Sequence, residues 1–132
     1  MVQTSLSETK PEVQTPYIRI WMEENILHCA FADNLNLDLD IAKHCVAQRI
    51  SFSQGIQQLC LIDMRTIRST TKEAREYMAK EGAQLVKAGA LLIGSALTRT
   101  IGNIFLTINK PPVPSKLFTN EKDAKEWLMQ YL

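Results

Sequence analysis

The sequence predicts one mixed α/β domain, a five-stranded sheet with four helices, and three observations carry that reading. Residues 88–132 read as strand, helix, strand, helix with a breaker at each joint. Residues 17–31 read as a hairpin. Between them, Leu59-Cys60-Leu61-Ile62 is a compact apolar run of the kind found in a strand buried on both faces, followed by polar Asp63-Met64-Arg65.

Taken in order, the first 16 residues are rich in Ser, Thr, Gln, Glu and Pro and read as a disordered tail, so the domain is expected to span residues 17–132. Ile18, Ile20 and Met22 then alternate with Tyr17, Arg19 and Trp21, and Glu24-Asn25 turns the chain into the run Ile26 to Phe31. From Asp38 the pattern becomes helical, with Ile41, Ala42, Cys45, Val46, Arg49 and Ile50 in register and a stop near Gly55. Asp38 and Asp40 suit the positive end of that helix. After the central strand, Thr70 and Glu73 have capping-box spacing for a second helix, which is expected to reach about Leu85 with Gly82 weakening its end.

Ala88 to Ile93 is a fourth strand, closed by Gly94-Ser95. A helix from Leu97 to Ile108 follows, burying Ile101, Ile104, Phe105 and Ile108, and the prolines at 111, 112 and 114 stop it. Ser115 to Phe118 is a short fifth strand. Asn120, with Asp123 three residues on, opens a closing helix whose stripe is Ala124, Trp127, Leu128 and Tyr131, with Trp127 as the expected anchor. Right-handed crossovers between parallel strands would lay the helices against a mixed sheet with Leu61, Ile62 and Leu92 at its centre.

Composition narrows function mainly by exclusion. A chain of 132 residues, 45% hydrophobic and 22% charged, suits a single core. A net charge of +1 supplies no global attraction to nucleic acid. The apolar stretch 88–108 approaches a membrane span in length, but Gly94, Ser95, Arg99, Gly102 and Asn103 interrupt it, so membrane insertion is not expected. Cys29, Cys45 and Cys60 lie in apolar or amphipathic segments without Cys-x-x-Cys spacing, which reads as buried thiols in a reducing cytoplasm. His28 and His44 each neighbour a cysteine, yet adjacent side chains diverge on a strand or a helix, so no metal site is expected. No cysteine has an activating cation or helix start beside it, and no cofactor motif is present, so the chain is not expected to be an enzyme.

The succession from Tyr17 to Leu132, with the runs LIDMR, TKEAREYMA and IGNIFLTINKPPVPSKLF and the ending KLFTNEKDAKEWL, resembles the STAS superfamily, the fold of bacterial anti-sigma-factor antagonists. In particular it resembles a group of small bacterial STAS-like proteins of uncharacterised function. The resemblance implies a regulatory, non-catalytic module that binds another protein, with homo-oligomerisation left open. In the antagonists the loop after the third strand carries Asp-Ser-x-Gly, whose hydroxyl is phosphorylated. Here Ile67-Arg68-Ser69-Thr70-Thr71 fills that position, with Arg68 in place of the Asp and no Gly. The expected interaction loop is therefore Arg65, Arg68, Ser69, Thr70 and Thr71. Ser95, Thr98 and Arg99 are expected to lie at the same strand-end edge and, with those arginines, to offer an anion site. The alternative is a small apolar-ligand, lipid-like binding domain, its pocket lined by Met78, Leu85, Ile101 and Phe105.

Overall fold

The structure, a computed structural model, describes residues 12–132. Its elements are β1 Glu12–Gln14, β2 Ile18–Glu23, β3 Ile26–Phe31, β4 Leu35–Leu37, α1 Leu39–Ser53, β5 Gln58–Asp63, β6 Ile67–Thr70, α2 Lys72–Lys80, β7 Val86–Leu92, α3 Ala96–Ile104, β8 Ser115–Phe118 and α4 Glu121–Met129. Six strands form the main sheet in the order β1-β2-β3-β5-β7-β8, while β4 and β6 pair separately. The mixed α/β class and the four α-helices are as expected, with one strand more in the sheet.

That extra strand is β1, antiparallel to β2 with Val13 opposite Ile20. It falls in the stretch read as tail. Residues 12–16 are held by this pairing and by the Glu12 carboxylate, which accepts from Arg19 Nε at 2.8 Å and Nη2 at 3.2 Å. Residues 1–11 of the expected tail lie outside the described residues. Glu24 and Asn25, with φ of 56° and 66°, make the tight turn of the β2–β3 hairpin, since two positive φ values match the twist of the flanking strands.

From β3 onward every neighbouring strand of the sheet is parallel, and the chain steps in one direction through β5 and β7 to β8. Right-handed crossovers that all step the same way must place their helices on one face. Ala42 and Cys45 of α1, Ala74 of α2 and Ile101 of α3 accordingly share one core with Ile20, Leu27, Cys29, Cys60 and Leu91. The alternate residues of the same strands, Ile26, Leu59, Leu61, Ala88, Ala90 and Leu92, face the other way and meet only α4.

Local chemistry sets each helix end. Asp38 caps α1, its side chain accepting from Ile41 N at 2.9 Å, and Gln54 and Gly55 leave the helix with φ of 50° and 77°. The second helix stops at Lys80, with one 3-10 turn over Glu81–Ala83, instead of running to Leu85. The turn after it is held from outside: the Arg49 guanidinium donates to Gly82 O at 3.0 Å and Gln84 O at 2.8 Å. The third helix widens after Ile104 into a π turn, Phe105–Asn109, that ends at Lys110 with φ of 48°. Gly102 lets it approach β8, because a Cβ there would come within 2.7 Å of a Leu117 methyl.

In the closing helix Leu128 and Ala124 are fully buried, and Trp127, the expected anchor, packs partly buried against the same cluster. Trp127 is half-buried and packs beside Phe118 and Tyr131, with ring centroids 5.6 Å and 5.0 Å away. Leu128→Ala is therefore expected to cost about 2–5 kcal/mol by urea unfolding, the range for emptying a tight aliphatic site. Trp127→Ala is expected to cost only about 1–2 kcal/mol, because the indole already meets water on one side.

Candidate functional site

The segment read as an interaction loop is a strand for most of its length. β6 runs parallel to β4, with Leu35 opposite Ile67, Asn36 opposite Ser69 and Leu37 opposite Thr70. Only Ile67 turns into the core, and Arg68 and Ser69 are exposed. The Ser69 hydroxyl donates to Asn36 Oδ1 at 2.7 Å, and Thr66 Oγ1 ties the preceding turn to Phe31 O at 2.9 Å. Thr71, not Thr70, caps α2: its hydroxyl accepts from Ala74 N at 3.1 Å. Thr70 instead accepts from the Arg75 guanidinium, at 2.7 Å on its hydroxyl and 3.3 Å on its carbonyl.

Arg65 is held by its own carboxylate neighbour. Its Nε and Nη2 donate to the two Asp63 oxygens at 2.9 Å and 2.7 Å, a fork that raises the guanidinium pKa further. Its stem lies across Gly94, where a Cβ would come within 3.0 Å of it, so Arg65 does sit beside the start of α3. At that start the hydroxyls are occupied. Ser95 Oγ accepts from Thr98 N at 3.1 Å, and Thr98 Oγ1 accepts from Gly94 N and Ser95 N at 3.0 Å each, a reciprocal cap with Thr98 only 1% exposed. Arg99 is exposed in an open cleft with Lys116, Asp123 and Glu126. The expected anion site is thus a self-satisfied cap with Ser95 exposed and Thr98 buried, a surface ion pair and one free surface arginine.

The thiols and imidazoles keep apart, as the strand and helix geometry requires. Cys29, Cys45 and Cys60 are free and buried. Burial pushes Cys45 up to about 12 and Cys60 up to about 11, so neither is a nucleophile near neutral pH. His28 points to the α4 side of the sheet, stacked on Trp21 at 4.9 Å, and the Arg19 guanidinium lies over the same indole, 4.2 Å from a ring centroid. His44 meets Tyr17 edge-on at 5.3 Å. Among the described residues no three His, Cys, Asp or Glu side chains gather as a metal would need. No helix among them is long and apolar enough to cross a membrane.

A cavity lies between the helix-bearing face of the sheet and the three helices packed on it, where the apolar-ligand alternative put its pocket. Its interior volume is about 100 Å³ and it is open on one side. Met78, Ile101 and Phe105 line it as the apolar-pocket reading supposed, whereas Leu85 is not in its wall. Arg49, Thr70 and Arg75 are. The signal for Arg49 was present: a cation in helical register with Ala42, Cys45 and Val46 on an otherwise apolar stripe.

A family model described as Domain of unknown function (DUF7793) matches residues 20–132, and the chain belongs to that family. The structure is similar to that of an uncharacterized DUF3478-family protein with a SpoIIAA-like fold from Shewanella loihica PV-4, with a TM-score of 0.59 and 18% sequence identity. That similarity covers 91% of this chain and 95% of the other and shows a STAS-like fold. No curated protein matches the sequence.

Two outcomes follow from this geometry. Thr71→Ala is expected to lower stability by about 1 kcal/mol in urea unfolding, the usual worth of a Thr N-cap. The second concerns His28, whose pKa burial and then the Lys125 charge hold below the ordinary imidazole value. A histidine kept neutral when folded and free to protonate when unfolded gives stability that is complete above about pH 6.5 and lost as pH falls through the folded value. Unfolding free energies measured at about pH 7.5 and about pH 5.5 should show that loss, and His28→Phe should reduce it.

Proposed function

We propose that this DUF7793 chain is a non-catalytic STAS-like module that binds another protein through the solvent side of β6 and the first turn of α2. The observation that supports it is the division of labour along β6. Ile67 secures the strand to the core and Thr71 caps the helix, which leaves Arg68 and Ser69 exposed on a paired backbone, Ser69 with a single surface hydrogen bond to Asn36. A cation beside a hydroxyl on a fixed edge suits recognition of an acidic partner surface, and phosphorylation of Ser69 would reverse the local charge. The buried, unactivated thiols and the absence of a partnered nucleophile among the described residues support binding rather than catalysis. They also suit a reducing cytoplasm, where such thiols persist.

Arg68→Glu and Ser69→Asp should each weaken partner retention by at least about tenfold, or 1.4 kcal/mol, in affinity capture with the full chain. Melting temperatures should stay within about two degrees of the parent, since neither side chain is buried. Retention of the same partners by both variants would refute this surface.

A further inference from the structure

We propose that the cavity beneath α1, α2 and α3 is a binding site for a small amphiphilic carboxylate, with its apolar body against Met78, Ile101 and Phe105 and its anionic head on the Arg49 guanidinium. This stands independently of the role given to β6.

Arg49 carries the argument. It is 5% exposed, in the wall of an otherwise almost wholly apolar cavity. Its two hydrogen bonds, to Gly82 O and Gln84 O, both come from Nη2 and account for its holding the turn after α2. They do not account for Nη1, which is buried and has no hydrogen-bond partner. Among the described residues no carboxylate pairs with Arg49. A guanidinium cannot shed its proton to escape this, so a buried, half-partnered arginine calls for an anion. Arg75 repeats the pattern in the same wall. Its Nη1 is on Thr70, while its Nε is buried and unpartnered.

The donors and the space together select the ligand. The free donors in the wall, Arg49 Nη1 with two N–H and Arg75 Nε with one, suit a single small anionic head, and a carboxylate leaves fewer oxygens unsatisfied against apolar walls than a phosphate would. A dry cavity of ~150 Å³ takes benzene, so this one, about 100 Å³ inside, encloses about four carbons, and the rest of a longer tail leaves through its open side. Met64 and Met78, both lining it, can rearrange to fit such a body.

The test is a calorimetric titration of the full chain with octanoate and with 1-octanol, which has the same tail and a neutral head. Octanoate should bind saturably, one per chain, at least about tenfold more tightly than 1-octanol, with backbone amide shifts concentrated at Met78, Ile101 and Phe105. Arg49→Met should remove most of that preference, weakening octanoate by about tenfold or more and leaving 1-octanol within about twofold. If Arg49→Met does not fold, Arg75→Met is used in the same comparison. Absence of saturable octanoate binding, equal affinity for the two probes, or shifts confined to another part of the molecule would each overturn the proposal.

Discussion

The structure depends on one topological constraint, that the chain crosses from β3 to β5, β7 and β8 in a single direction. Handedness then leaves no choice about where α1, α2 and α3 go. They crowd one face of the sheet, and the other is left to α4 and to whatever the strands themselves can stack. Over β5 and β7, Ala88, Ala90 and Leu92 give α4 a shallow seat for Ala124 and Leu128. At β3 the helix covers Ile26, and toward β2 the surface is completed by the layered side chains of Arg19, Trp21 and His28.

Crowding three helices on one face has its own cost. Helices packed side by side on a twisted sheet do not fill the space beneath them equally, and here the shortfall lies under α2, which is only nine residues long, and under the π turn that follows α3. Arg49, which holds the turn after α2, also lines that space, as Arg75 does. It thus couples that turn to the chemistry of the void beside it: without its hold, the carbonyls of Gly82 and Gln84 would need other partners.

Much of this was legible in the sequence because the strongest signals are local. Alternation over Tyr17 to Glu23, the apolar run at Leu59 to Ile62, the Gly94-Ser95 stop and the Asn120 cap each sit on an element within a residue or two of its bounds. What escaped was short or non-local. β1 has one apolar residue, Val13, between Glu12 and Gln14, and only its partner strand makes it a strand. β4 and β6 stabilise each other in the same way, so Ile67 to Thr70 had no strand signature alone. Thr70 and Thr71 are equivalent as caps until Arg75 engages the first, which frees the second for the helix. The cavity is a property of packing and has no sequence pattern, although Arg49 in an apolar register marked its wall.

That α4 alone covers the Ile26, Leu59, Leu61 and Leu92 face has a consequence for synthesis. Everything that buries the other face precedes it in the chain, so a nascent protein can assemble the hairpin, three crossovers and their helices while this second face is still bare. For that interval the ribosome presents a nearly finished sheet with an apolar side in water, the kind of partly built species that sticks to its neighbours. Release of α4 ends it, and the Lys125 ammonium then clasps Glu24 at 2.8 Å, joining this helix to the β2–β3 turn made long before it.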